Sequence, residues 1–408
     1  GGDITIDVSG ITAITNAEEE AFTAQSALAL TSLGNTTLSG TFAVGGTSTL
    51  SVGREADEGQ EAVISALSIS GDYTGGGNVT LTVADTTDLD GSLDVTGDLL
   101  LNGTGAITLA DNVAVRGNAT FNGDADITTS GTLDAGSLNL NSAGSTTLNG
   151  TITVDGTSDL NVGSDLAITG DYTGGGDITI DVSGITAITN TEEEAFTAQS
   201  ALALTSLGNT TLSGTFTVDG TSELTVGDAE DSTSNSALAI TGDYTGLGNV
   251  TTDVTGSTDI NGTFTVGAGG DNAESTLTLN GEGAITLGSD AENGIVLDVA
   301  GATTIDGGST VTIEGEATIG GSLKLNSAGS TTLNGTINVA GTSDLTTAGN
   351  LAITADYTGG DSATLTVAGS TTLDGSLDVT GDLLIDSAGA ITLADSVTAS
   401  GKATFNGD

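Results

Sequence analysis

Carboxylates are the side chains of this sequence with the most obvious chemistry, because 54 Asp and Glu face only 4 Lys and Arg, for a formal net charge of −50. Two carboxylates at a suitable separation can act as an acid and base pair, as in enzymes that cleave glycosidic bonds. Such sites also need cationic or histidine partners that bind substrate and adjust pKa values, and the chain has no His. Because the Asp spacing also follows the repeats described below, we predict a protein that is not an enzyme and requires no cofactor.

Calcium binding is the second chemistry that carboxylates allow, since Ca²⁺ takes oxygen ligands only. The acidic segments predict Ca²⁺ ligands at Asp228, Glu230, Asp231 and Asp271. The run GGGDITID at 174–181 resembles part of the calcium-binding nonapeptide repeat, but it does not occur in tandem. The alternative interpretation of these acids is a solvated surface.

Aromatic side chains are the third candidates, and all four Tyr lie in one recurring motif, DYTG: Tyr73, Tyr172, Tyr244 and Tyr357. Their placement follows the repeat, which indicates a structural role at a corner or in the core. The alternative is a platform on which a sugar ring stacks. Nine Asn-x-Ser/Thr sequons, including Asn35, Asn102 and Asn149, are explained by the Asn-Gly-Thr repeat itself.

The negative charge argues against nucleic acid and anionic membranes as partners, because both are bound through clustered Lys and Arg. No apolar run approaches the roughly 18 residues that a membrane span requires, and no signal peptide is visible. The opening Gly-Gly matches the middle of a later repeat, so we interpret the chain as part of a longer one. We expect its partners to be further copies of itself and divalent cations, which reduce repulsion between acidic surfaces.

Internal repeats organise the whole chain. Residues 1–53 recur almost unchanged at 175–227, and 91–124 recur at 375–408. Beneath these copies lies a shorter cassette, seen as TTLNGTITVDGTSDLNVG at 146–163 and in related form at 36–53, 210–227 and 331–349. Each cassette leads to a DYTG motif. We therefore predict one continuous repetitive domain over 1–408.

Apolar and polar residues alternate within the cassettes, as in Thr151-Ile152-Thr153-Val154, which is the period of a half-buried strand. Gly ends these strands at short intervals, and Pro and Cys are absent. Three such strands with their corners make about 20 residues, so we predict an all-β, parallel β-solenoid. About 20 coils would form a rod roughly 95 Å long.

The same residues allow an alternative to the solenoid and an alternative handedness for it. Asn-Gly pairs also favour hairpins, but the segments are short and lack the domain period of tandem antiparallel sandwiches. Right-handed coiling is expected for parallel crossovers, with left-handed hexapeptide coiling as the alternative.

Acidic insertions leave from one corner of the predicted coil, after Gly53 and after Gly227, and further acidic excursions lie at 269–276 and 289–294. The stretch 190–204, with its copy at 16–30, breaks the strand pattern. Thr191 and Glu194 have capping-box spacing there, which predicts a short helix or lateral loop, with an irregular coil as the alternative.

The runs TLxGTxxVxGTSxLxVG and ITGDYTGGG resemble the passenger repeats of bacterial autotransporters and haemagglutinin-like β-helical adhesins. The resemblance covers nearly the whole chain, although any Gly- and Thr-rich solenoid has similar motifs. It implies a secreted bacterial protein at the cell surface, with a scaffolding or adhesive role. We therefore predict an extracellular structural protein that forms or contributes to a filament, fibre or matrix. The alternatives are an adhesin stalk that presents a binding tip and, more remotely, an ice-binding solenoid.

Overall fold

The structure is a computed structural model that describes residues 2–16, 20–55, 60–191, 193–231, 234–267, 274–288 and 294–407. Its contacts divide the chain into two compact units, Gly1–Thr197 and Ala198–Asp408. The prediction of one continuous domain over 1–408 stays a prediction.

The first unit contains β1 to β24, and β25 lies at the boundary. Their bounds are β1 Ile4–Val8, β2 Thr12–Thr15, β3 Phe22–Ala24, β4 Leu28–Ser32, β5 Thr36–Ser39, β6 Phe42–Val44, β7 Ser48–Val52, β8 Leu67–Ile69, β9 Tyr73–Gly75, β10 Val79–Val83, β11 Thr87–Leu89, β12 Leu93–Val95, β13 Leu99–Gly103, β14 Ile107–Leu109, β15 Val113–Gly123, β16 Ile127–Thr129, β17 Leu133–Ser142, β18 Thr146–Asn149, β19 Ile152–Val154, β20 Ser158–Val162, β21 Leu166–Thr169, β22 Tyr172–Gly174, β23 Ile178–Val182, β24 Thr186–Thr189 and β25 Ala195–Ala198.

The second unit contains the remaining strands. Their bounds are β26 Leu202–Ser206, β27 Thr210–Val218, β28 Ser222–Val226, β29 Leu238–Gly246, β30 Val250–Val254, β31 Thr258–Val266, β32 Leu277–Gly281, β33 Ile285–Leu287, β34 Ile295–Val299, β35 Thr303–Gly307, β36 Val311–Ile313, β37 Gly315–Ile319, β38 Leu323–Ser327, β39 Thr331–Leu333, β40 Ile337–Val339, β41 Ser343–Thr347, β42 Leu351–Ile353, β43 Tyr357–Gly359, β44 Ala363–Val367, β45 Thr371–Leu373, β46 Leu377–Val379, β47 Leu383–Ser387, β48 Ile391–Leu393, β49 Val397–Ala399 and β50 Ala403–Asn406.

Most coils have a separate first, second and third strand, as in β11, β12 and β13. In others two of these positions are continuous: the first and second in β27, β29 and β31, and the second and third in β15 and β17. Every one of these strands pairs in parallel with its equivalents in the neighbouring coils: β12, for example, pairs with β9 and with β15. Leu93 lies opposite Val113, which is one coil of 20 residues. The chain is a parallel β-solenoid of about 19 turns, so the predicted fold class and coil length are confirmed.

Inward side chains form continuous ladders because each strand alternates buried and accessible residues. In the third strands of the first unit, the central residues Leu81, Leu101, Phe121, Leu140 and Leu160 are stacked in register and at most 1% exposed. Burying one such side chain contributes roughly 1.5–3 kcal/mol. The core is narrow and aliphatic, which fits the low aromatic content of the chain.

The stretch at 190–204 forms strand and turn, and the structure shows no helix in the residues that it describes. The Glu194 carboxylate does accept hydrogen bonds from the Thr191 backbone N–H (3.2 Å) and hydroxyl (3.0 Å), as capping-box spacing suggests. The Glu194 N–H then bonds the Thr191 carbonyl, which closes a turn before β25. The alternative of an irregular coil therefore describes this segment, because its apolar residues enter strands.

The two cassette insertions leave from the same corner, between a third strand and the next first strand. One separates β7 from β8 and the other separates β28 from β29. The first contains an isolated antiparallel bridge between Arg54 and Val63. The excursions at 269–276 and 289–294 interrupt other corners, since they separate β31 from β32 and β33 from β34.

Candidate functional site

The four DYTG tyrosines point into the core from the first position of a second strand or, for Tyr244, from the equivalent position within β29. Tyr73, Tyr172, Tyr244 and Tyr357 are at most 1% exposed. A ring so buried cannot stack on a sugar, so these residues fill the core, as the repeat suggests.

Each tyrosine belongs to a column of second-strand side chains, and aromatic neighbours stack within it. The Tyr244 ring lies 4.9 Å from that of Phe264 in the following coil and 6.3 Å from that of Phe216 in the preceding coil. In the first unit, Tyr172 stacks on Phe196 at 5.1 Å. Ring pairs at these separations are stabilising beyond the area that they bury.

The tyrosine hydroxyl reaches a buried serine of the preceding coil. Tyr244 donates a hydrogen bond to Ser222 Oγ at 2.6 Å, and Tyr357 donates to Ser343 Oγ at 2.7 Å. The serine is the first residue of a third strand in both cases. Sequence reasoning missed this pairing, although the GTS that precedes every DYTG was a signal for it.

Tyr73 with Ser48 and Tyr172 with Ser158 occupy the same relative positions. The four hydroxyls of these two pairs are buried and lack a hydrogen bond of good geometry. The serine nevertheless lies close enough to lower the tyrosine pKa that burial raises. Ser and Tyr therefore face each other in all four cassettes.

Burial raises the pKa of these phenols, because a phenolate in the core would lose its hydration. The pKa is raised to about 12 for Tyr73, Tyr244 and Tyr357, with a smaller opposing effect of the serine hydroxyl. The pKa of Tyr172 is raised for the same reason. All four phenols are thus neutral near neutral pH, and those of Tyr244 and Tyr357 donate to serine.

Acidic side chains at the corners bind the next coil. The residue before a strand commonly accepts a hydrogen bond from the backbone N–H of the equivalent residue one coil later. Asp98 Oδ1 accepts from Asn118 N–H at 2.9 Å, and Asp165 Oδ1 accepts from Ile185 N–H at 2.8 Å. Asp356 Oδ1 accepts from both the N–H and the hydroxyl of Ser376, which lowers the pKa of Asp356.

Asparagines serve the same purpose, including those of the sequons. Asn35 Oδ1 accepts from Ala66 N–H at 3.1 Å, and Asn149 Oδ1 accepts from the Thr169 hydroxyl. Asn102 belongs to an amide ladder on a third-strand face: Asn122 Nδ2 donates to Asn102 Oδ1, and Asn141 Nδ2 donates to Asn122 Oδ1, both at 2.8 Å. These sequon side chains therefore join consecutive coils.

The predicted calcium ligands Asp228, Glu230 and Asp231 lie together in one exposed turn. The Asp228 carboxylate accepts the Glu230 N–H at 2.9 Å, and the Asp231 N–H bonds the Asp228 carbonyl at 3.1 Å. Asp271 lies outside the described residues. No three Asp or Glu side chains are grouped closely enough to hold a metal ion anywhere in the described ranges, and Ca²⁺ binding stays a prediction.

A shallow groove of about 570 Å³ follows the third-to-first corner of the second unit. Exposed alanines recur in it once per coil, at Ala328, Ala348, Ala368 and Ala388, with Asp386 as the one carboxylate of its lining. The groove therefore presents methyl and hydroxyl groups and not a pair of carboxylates. Over the ranges that the structure describes, no helix has the length and apolarity to cross a bilayer.

Comparison with known proteins gives one likeness. Residues 76–131, which run from the end of one DYTG motif through β16, are similar to the family described as repeats of unknown function (DUF5649). No curated protein matches the chain, and no solved structure matches it. The family match and the fold agree on a repetitive β-helical protein.

Proposed function

We propose that this chain is a non-enzymatic structural protein that a bacterium exports to its surface, where it forms or contributes to a filament or matrix. The observation that carries the proposal is that polar side chains form hydrogen bonds between consecutive coils. Corner carboxylates such as Asp98 and Asp356 accept backbone N–H groups one coil later, and the asparagine ladder does the same with side-chain amides. A chain built in this way gains stability from every coil that is added.

The acidic surface supports a role for cations in assembly. With a net charge of −50, copies of the chain repel one another at low ionic strength, and salt screens that repulsion. The insertions at 54–65 and 228–236 are rich in acidic residues. We propose that copies associate laterally through these insertions, with divalent cations between carboxylates of different copies.

Electron microscopy of the purified protein tests this function directly. Samples are prepared in EGTA, in millimolar Ca²⁺, and in NaCl of the same ionic strength as the Ca²⁺ sample. Filaments or bundles that form in Ca²⁺ and not in matched NaCl are the expected result. Separate particles in all three samples would overturn the assembly proposal and favour the adhesin stalk, whose partner is another molecule.

A further inference from the structure

The first position of each third strand is an inward position next to the second-strand column of the following coil. In the second unit, Ser222 and Ser343 hold this position before the coils of Tyr244 and Tyr357. In the first unit, Ser48 and Ser158 hold it before the coils of Tyr73 and Tyr172. Each serine is at most 3% exposed.

Phenylalanine in the same column has a different neighbour. The equivalent residue of the preceding coil is aliphatic before each of four Phe coils: Leu28 before Phe42, Ile178 before Phe196, Leu202 before Phe216 and Val250 before Phe264. Tyr and Phe differ by one hydroxyl. The facing residue of the preceding coil is a serine for Tyr and an aliphatic residue for Phe. The contrast is physically consistent, since a buried hydroxyl without a partner costs free energy and an apolar ring needs no partner.

Each DYTG coil also has an inward glycine, which adapts the tyrosine strand to the strand that follows it in the same coil. Every DYTG motif places Gly two residues after Tyr, on the same inward side, where the Phe coils have Val44, Ala198, Val218 and Val266. A Cβ at Gly246 would lie 2.7 Å from Val250 Cγ2 and 3.5 Å from the Tyr244 ring. The glycine therefore leaves room for Val250 of the same coil, while the Tyr244 ring lies at an ordinary contact distance.

We propose that the Ser–Tyr pair is a stacking key, which specifies that a DYTG coil is placed on a GTS coil and not on an aliphatic one. The key consists of the serine at the start of a third strand and the tyrosine of the next coil, and it is hydrogen-bonded in Ser222–Tyr244 and Ser343–Tyr357. A shift by one coil would put the Tyr hydroxyl against an aliphatic side chain and leave the serine without its partner. The key thus selects against wrong stacking through unpaired buried hydroxyls.

A double-mutant cycle at the bonded pairs tests the key. The variants are Tyr244→Phe, Ser222→Val and both together, which recreates the arrangement of Phe264 over Val250. The same cycle is made with Tyr357→Phe and Ser343→Val. The matched control combines Tyr244→Phe with Ser343→Val, which belong to different keys. Hydrogen exchange of the β29 and β43 amides and the thermal midpoint are measured for each variant.

For each cognate pair, we expect the double variant to lose less hydrogen-exchange protection than the two single variants added together. Its thermal midpoint should also fall by less than the sum of the two single shifts. The control combination should be additive. Transfer of the key provides a second test: Phe216→Tyr should lower protection of β27 less when Leu202→Ser accompanies it than the separate effects predict. Additive effects in the cognate cycles, like those of the control, would overturn the proposal; failure of one single variant to fold leaves the other cycle to decide.

Discussion

The Tyr244 hydroxyl donates a hydrogen bond across 2.6 Å to Ser222 Oγ, from one coil to the coil before it. Both side chains are almost completely buried. The bond therefore exists only while consecutive coils are stacked, so the ionisation of Tyr244 reports on stacking.

Alkaline titration should unfold the protein when the tyrosines ionise. Burial raises the pKa of Tyr244 to about 12, above the value of about 10 in an unfolded chain. The stabilising contribution is complete below the unfolded value and is lost as pH rises from about 10 through about 12. We expect phenolate absorbance and loss of the β-sheet circular dichroism to rise together in this range. Ionisation near pH 10 with the β signal intact would contradict this expectation.

Alanine at the DYTG glycines should have opposite effects at two positions. At Gly246 an added Cβ would meet Val250 Cγ2 at 2.7 Å, whereas at Gly359 the nearest atom would be 3.6 Å away. The difference arises because Ala363 stands where the other coil has Val250. We expect Gly246→Ala to lower the free energy of unfolding by about 1–3 kcal/mol through overpacking, and Gly359→Ala to leave it unchanged or raise it by roughly 0.4–1 kcal/mol.

Urea unfolding of the two glycine variants beside the unsubstituted chain measures this difference. Equal destabilisation of both would show that the contact with the residue at the position of Val250 does not decide the effect.

Truncation within the aliphatic ladder should be costly. Leu160 is stacked between Leu140 and Ile180 and is fully buried. We expect Leu160→Ala to lower the free energy of unfolding by about 2–5 kcal/mol through lost burial and the cavity that remains. The neighbouring outward substitution Asp159→Ala should change it by no more than about 0.5 kcal/mol. Comparable losses for the two variants in urea unfolding would be inconsistent with the observed ladder.

Corner carboxylates should make stability depend on acid pH. The hydrogen bonds from the hydroxyl and backbone N–H of Ser376 lower the pKa of Asp356 below its ordinary value of 3.8. The stabilisation is therefore present above that value and is lost as pH falls through the lower pKa of the folded chain. In Asp356→Asn the amide oxygen still accepts the bond, as Asn249 does for Thr276, but without a titrating group.

Thermal midpoints measured between about pH 2 and 6 test this linkage. The Asp356→Asn variant should lose less of its midpoint on acidification than the unsubstituted chain. Asp378, which is exposed on β46, supplies the control substitution Asp378→Asn. Identical pH profiles for Asp356→Asn and the unsubstituted chain would show that the bond to Ser376 contributes nothing.

The insertion after β28 should be removable without loss of the fold. In the first unit, Ser164-Asp165 alone joins Gly163 to β21. Replacement of 228–237 by Ser-Asp should therefore preserve the circular dichroism spectrum while reducing Ca²⁺-dependent association, measured by light scattering. Charge neutralisation by Asp228→Asn, Glu230→Gln and Asp231→Asn together is the control that keeps the length. Unchanged association in both variants would exclude this insertion as the contact.

The repeats were sufficient to predict the parallel solenoid, because period-two alternation and Gly corners recur along the whole chain. They did not predict the partner of Tyr244, since Ser222 lies 22 residues away in the sequence and only stacking brings the two together. The roles of Asp98 and Asp165 were hidden for the same reason: a corner Asp in sequence cannot be told from a solvated one. At 190–204 the local capping pattern suggested a helix, but burial of Phe196 in the aromatic column favours a strand.

The nine residues Thr210–Val218 pair with Leu238–Gly246 without any shift in register, although the insertion at 228–236 lies between them. A longer corner thus leaves the register of the paired strands unchanged. Descendants of this sequence can gain, lose or exchange surface segments there while inheriting the same interior. Changes to the exposed corner are in this way separated from the stacked strands that form the core.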